Sequence, residues 1–166
     1  MYTQGTIQNF WNTQHTTLAY IPTEFKNQND VNMWLTSGFN QENLIFDLYD
    51  MSNPTPKWAE SFFRSFNGNH ITLSFMRMKT NTALPYHADL FKKYIQINKI
   101  LDPSKISRAV VFLEDWQPGH ILEINGKSIS QWHAGDYVLW NYDTPHMAAN
   151  LGLVPRYTAQ ITFTNV

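Results

Sequence analysis

The alternation of polar and apolar positions changes period once along the chain, near residue 69. Before that point it is helical or irregular. Asn29-Asp30 ahead of VNMWLTSG predicts the capped start of a short helix ending near Gly38. ENLIFDLYDM, 42–51, is apolar on more than one face and fits a helix or a strand. PKWAESFFRSF, 56–66, has Pro in its first turn and apolar Trp58, Phe62, Phe63 and Phe66, which predicts a helix closed by Asn67-Gly68-Asn69.

Beyond it the period is two. HITLSFMRMKT, 70–80, sets Ile71, Leu73 and Phe75 against polar neighbours, and YIQINKIL, 94–101, alternates as well, so both predict strands. ISRAVVFLEDW, 106–116, is a denser apolar run, the pattern of a strand buried on both faces. HILEING, 120–126, ends in the hairpin signal Asn125-Gly126, and KSISQW, 127–132, returns. DYVLW, 136–140, and RYTAQITFTNV, 156–166, complete a set of about seven or eight strands. Strands gathered behind helices predict a mainly β protein, a jelly-roll or cupin-like double sheet with flanking N-terminal helices, not an alternating βαβ chain. The expected organisation is one domain over 1–166, with an N-terminal helical flank over 1–69 and the β core over 70–166.

Composition narrows the function classes. The length of 166 residues suits a single core. Charged and aromatic residues are 15% each, which excludes a disordered chain. Twelve Lys and Arg against thirteen Asp and Glu leave no cationic surplus, so there is no strong nucleic-acid signal. Cysteine is absent, which removes disulfides, thiolate zinc sites, iron–sulfur clusters and a Cys nucleophile. MYTQGTIQNFWNTQHTT lacks the basic start and apolar run of a signal peptide, and no apolar run is long enough to span a membrane. The expected setting is therefore cytoplasmic. Oligomeric state is not legible.

Six histidines remain as candidate chemistry: His15, His70, His87, His120, His133 and His146. His87-Ala88-Asp89 stands out, because residues i and i+2 of an extended segment share a face, where an imidazole and a carboxylate can grip one metal ion. His146, after the turn Tyr142-Asp143-Thr144-Pro145, is the best third ligand. Two His and one carboxylate on one side of an ion leave open positions, the arrangement of non-haem Fe(II) oxygenases. Ten residues on, Arg156 shares a strand face with Thr158, and a guanidinium with a hydroxyl beside it is a receptor for a carboxylate. The remaining histidines read as structural, Trp132 and Trp140 as core, and Tyr86 as packed away from His87. Asn150 reads as a hydrogen-bonding group near the site or as the cap of the turn before Gly152.

The segment from LPYHAD to RYTAQITF resembles the Fe(II)/2-oxoglutarate-dependent dioxygenase superfamily, whose core is a double-stranded β-helix. More narrowly it is similar to small oxygenases of the prolyl-4-hydroxylase-like and aspartyl/asparaginyl-hydroxylase-like groups, including short ones of marine bacteria and phages. The resemblance implies that His87, Asp89 and His146 form the iron triad, that Arg156 binds the distal carboxylate of 2-oxoglutarate, and that Thr158 adds its hydroxyl. Arg108 has two readings, a hold on the C1 carboxylate or a substrate anion, and an ordinary rim charge. The implied activity is hydroxylation of a small-molecule or peptidyl substrate, using Fe(II), 2-oxoglutarate and O2. The rivals are a cupin-like metal protein that does not use 2-oxoglutarate, a catalytically silent β-sandwich, and the same chemistry acting on nucleic acid.

Overall fold

Residues 106–112, the densest apolar run, lie in the interior of a seven-stranded sheet. The computed structural model describes residues 1–165. Its strands are β1 Tyr2–Thr6, β2 Ile21–Thr23, β3 Phe46–Tyr49, β4 Asn69–Met78, β5 Thr82–His87, β6 Ile106–Phe112, β7 His120–Ile124, β8 Lys127–Ile129, β9 Asp136–Asn141, β10 His146–Asn150 and β11 Arg156–Thr164. Its α-helices are α1 Gln28–Thr36, α2 Phe62–Ser65 and α3 Lys92–Asn98. The large sheet runs β1-β9-β6-β11-β4-β3-β2 and the small one β5-β10-β7-β8. Every pairing is antiparallel. From β4 onward the chain passes repeatedly between the two sheets, which makes a double-stranded β-helix. No helix among the described residues is long and apolar enough to cross a membrane.

Residues 1–69 supply strands as well as helices. β1 extends the large sheet at the β9 edge, and β3 and β2 extend it at the β4 edge. Pro22 sits in the outermost strand, where its missing N–H costs no ladder bond.

Two cores follow from the faces of the large sheet. Met76, Met78, Val110, Phe112, Val138 and Trp140 point between the sheets and meet Leu122, Ile124 and Trp132. Leu73, Phe75, Ala109, Val111, Ala159 and Ile161 point outward, beneath Trp11, Phe62 and Phe66. This explains why the 106–112 run is apolar on both faces. The polar neighbours in β4, Thr72 and Ser74, face the interior cavity.

Several expected elements differ. Residues 94–101 do not form a strand. They begin in α3, which is bounded by Phe91 and Lys99 at φ 49° and 52°, and Tyr94 is its buried residue. Ile97 and Leu101 are 59% and 98% exposed, so a short alternation satisfied both periods without a buried face to decide between them. The 42–51 run divides into a 3-10 turn at Gln41–Leu44 and β3. The 56–66 helix breaks into a 3-10 turn at Lys57–Ala59 and the single turn of α2. The cap of α1 is Asn27, whose side chain accepts the Asn29 N–H at 3.3 Å. The Asn125-Gly126 hairpin forms as expected, with φ of 51° and 73°.

The loop leading into β11 is fixed by Asn150, which is fully buried. Its Nδ2 donates to the carbonyls of Met78 and Val154 at 2.9 and 2.8 Å, and its Oδ1 accepts the Gly152 N–H at 2.9 Å. A Cβ on Gly152 would lie 2.3 Å from the Pro118 carbonyl oxygen, so only glycine fits there. Stranding a buried polar group costs roughly 1–3 kcal/mol, so Asn150→Ala is expected to lower the unfolding free energy by about 3 kcal/mol or more. Urea denaturation measures this; a loss below about 1 kcal/mol would show that other contacts hold the loop.

Candidate metal centre and its cavity

β5 ends at His87 and β10 begins at His146, and the strand register sets the two residues opposite each other. Their ring centroids are 4.4 Å apart. His87 Nδ1 lies 2.6 Å from the Pro85 carbonyl oxygen, and His146 Nδ1 lies 2.8 Å from that of Thr144. A carbonyl only accepts, so each Nδ1 carries a proton and donates it, which leaves Nε2 as the atom each ring can offer a metal. Pro85 fits here because β5 is an edge strand. Asp89 lies just beyond the strand, with Oδ1 3.9 Å from His87 Nε2. The assigned strand stops at His87, and Asp89, two residues on, still brings its carboxylate to the same centre. One ligand atom from each of His87, Asp89 and His146 lies within 4.8 Å of the others. Two imidazole nitrogens and one carboxylate oxygen fit a divalent first-row metal held on one side.

Protonation favours the same use. Burial pulls His146 from 6.5 down to about 4, against the opposing pull of Asp89, so the ring is neutral. Burial works to raise Asp89, but the Arg108 guanidinium, then His146 and His87, outweigh it and hold the carboxyl below its ordinary range. A neutral His146 ring and an ionised Asp89 carboxylate are the ligand forms metals require.

The N-terminal flank walls the centre. The Phe25 and Trp34 rings lie 4.6 and 5.8 Å from the His87 ring, and Trp140 lies 4.8 Å from His146. Nothing in the sequence marks Phe25 or Trp34 for this role, since their segment carries no motif.

A cavity of about 490 Å³ opens beside the centre. Arg156 and Thr158, both buried, line it from one face of β11. Arg156 Nη1 is 3.2 Å from Met78 Sδ, its Nε has no partner, and its guanidinium lies 5.5 and 5.9 Å from the Trp132 and Phe112 rings. No carboxylate among the described residues pairs with it. Burial pulls its pKa down to about 10. Arg108 lines the same cavity, with Nη2 3.5 Å from Asp89 Oδ2 and Nη1 donating to Gln160 Oε1 at 2.7 Å. All six residues singled out from the sequence therefore meet in one space. Gln160, missed there, follows from Arg156 by the period of two.

The other histidines stand apart. His120 Nε2 is 3.1 Å from the Val154 carbonyl oxygen, His15 pairs with Glu114 at 2.9 Å, and His70 and His133 are exposed. Tyr86 is exposed rather than packed, and its hydroxyl accepts the Gly126 N–H. Trp132 and Trp140 are core, as expected.

No protein-family model matches the sequence, and no curated protein matches it. Solved structures do. A Pseudomonas putida prolyl-4-hydroxylase superposes with a TM-score of 0.60 over 99% of this chain and 92% of its own, at 14% identity. A predicted oxalate decarboxylase from Thermotoga maritima superposes with a TM-score of 0.51 over 92% of this chain and 97% of its own, at 9% identity. At these identities the likeness shows a shared fold, the cupin-type double-stranded β-helix.

Two measurements test the centre. Ala at His87, Asp89 or His146 is expected to weaken Fe(II) or Co(II) binding by more than the roughly 10–100-fold cost of losing an outer partner of a ligand, as read by anaerobic equilibrium dialysis. In the metal-free protein, the unfolded chain takes up the His146 proton near pH 6.5, while the folded ring resists to about 4. Stability is therefore lost as the pH falls across that window, by on the order of 3 kcal/mol, and His146→Gln should flatten the dependence.

Proposed function

We propose that the protein is a non-haem Fe(II)- and 2-oxoglutarate-dependent dioxygenase, a hydroxylase working as one domain. The observation that carries this reading is Arg156. A buried guanidinium without a counter-ion costs several kcal/mol unless an anion joins it. Its contact with Met78 Sδ is a weak one that a carboxylate displaces. It lines the cavity that the His87, Asp89 and His146 cluster also lines.

On this reading the three ligands hold Fe(II), and Arg156 meets the C5 carboxylate of 2-oxoglutarate with a fork of donors. The Thr158 hydroxyl donates a further hydrogen bond from the same face. Leu84, Leu122 and Met76 wall the cavity and keep water from the cosubstrate chain. Phe25, Trp34 and Trp140 brace the imidazoles. The bound metal, with O2, supplies oxidative decarboxylation of 2-oxoglutarate to succinate coupled to oxidation of a C–H bond. A cupin-like metal protein would use the same three ligands and leave Arg156 without an occupant.

Titrating 2-oxoglutarate into the anaerobic Fe(II) protein decides between them. Removing one partner of a buried charge pair costs roughly 3–5 kcal/mol, so Arg156→Leu is expected to weaken binding by at least about a hundredfold. Metal affinity should be unchanged. Arg156→Lys should fall between, keeping charge without the fork. Thr158→Val should cost roughly tenfold. Equal affinity in wild type and Arg156→Leu would leave the cupin-like reading standing.

A further inference from the structure

Resting on that reading of the centre, we propose that the rest of the cavity takes a substrate bearing a carboxylate, and that Arg108 receives that carboxylate. The cavity-facing stripe of the large sheet changes character along its length. β11 turns Arg156, Thr158, Gln160 and Thr162 inward. Register sets Thr158 beside Met76 and Phe112, Gln160 beside Ser74, and Thr162 beside Thr72 and Arg108. One end therefore holds Arg156 among Met78, Phe112 and Trp132. The other is a band of hydroxyls, an amide and a second guanidinium. Arg156 and Thr162 are six residues apart on one strand, roughly 20 Å, which is far more than a five-carbon diacid spans. A volume near 490 Å³ leaves room for a second small molecule. A polar band facing the cavity calls for a polar occupant.

Charge selects its sign. The chain carries a net charge of -1, yet five cations line this cavity (Lys26, Lys92, Lys93, Arg108 and Arg156) against three carboxylates (Glu24, Asp50 and Asp89). The cosubstrate is a dianion and the metal a dication, so together they leave the excess in place. A cleft so lined concentrates anions. Among the cations, Arg108 touches a proposed metal ligand. Its plane is set by Gln160 at 2.7 Å and by the Phe91 ring, whose centroid is 5.0 Å away. Its Nη2 approaches Asp89 at 3.5 Å, too long for a tight hydrogen bond, and the side chain keeps 14% exposure, so Nη2 can still donate to a ligand. The guanidinium is oriented and has a donor to spare. A carboxylate held there would lie beside Asp89, within the same cavity as the three proposed ligands.

The test uses the Zn(II)-loaded protein, which binds without turning over, with and without saturating 2-oxoglutarate. The probes are the free L-amino acids, their C-terminal amides, and N-acetyl-aspartyl methylamide, which carries a carboxylate only in its side chain. Calorimetric titration and thermal shift are the readouts. At least one acid is expected to bind, with its matched amide about tenfold weaker or worse. Arg108→Gln should weaken the acid by about tenfold or more without altering the amide, and Arg108→Lys should restore part of the loss. Preference for the blocked aspartyl probe would assign the carboxylate to a peptide side chain, and preference for the free acids to a small metabolite; either supports the proposal. Zn(II) content and 2-oxoglutarate affinity are measured for each variant, because Arg108 also touches Asp89. If acid binding falls only in step with Zn(II) content, Arg108 merely positions Asp89 and the proposal is overturned. It is equally overturned if no acid binds the wild type, or if acids and amides bind alike. Failure of the Zn(II) protein to bind 2-oxoglutarate would sink the dioxygenase reading instead, and acid binding at Arg108 would still be read in the arm without it.

Discussion

The pairing of β10 with β5 sets His146 opposite His87, and most of the site depends on that register. Side chains alternate across a strand, so a slip of one residue would turn one imidazole to the other face of the sheet. Two backbone carbonyls then fix the rings, and the same hydrogen bonds leave both Nε2 atoms free. A bulge between His146 and Ala148 lets β10 follow this geometry and still return to regular pairing at Leu84. Ligand geometry here belongs to the backbone as much as to the side chains.

Much of the core was legible because buried strands write themselves as period two. The 106–112 run, the Asn125-Gly126 hairpin and the alternation after Arg156 all form where expected. The triad was legible because its residue types are scarce and its spacing is short. What escaped has physical causes. Residues 94–101 alternate, but Tyr94 alone among them is buried, so no buried face enforced the period of two and helix geometry prevailed. Thr72 and Ser74 look like solvent-facing positions, because a sequence does not reveal that the polar side of a strand faces a cavity. Phe25 and Trp34 act through tertiary contact alone.

The two faces of the large sheet divide the labour. Trp11, Phe62 and Phe66 cover the outer face, so one of the two cores lies on a surface remote from the cavity. This frees the inner face to carry groups that cost stability, among them an unpaired guanidinium and a polar band. The N-terminal segment serves both faces: its aromatics pack outside, while residues 23–27 close the cavity inside.

That segment also governs the order of assembly. Tyr2 pairs with Trp140, so β1 has no partner on the ribosome until residues far along the chain have been made. β9 in turn needs β6, and β6 needs β11. The large sheet is built from many long-range pairings, and such topology places folding in the slow regime of all-β domains, roughly milliseconds to seconds. Until β1 pairs with it, the outer edge of β9 stands open, and an open strand edge is exposed to mispairing with other copies of the chain.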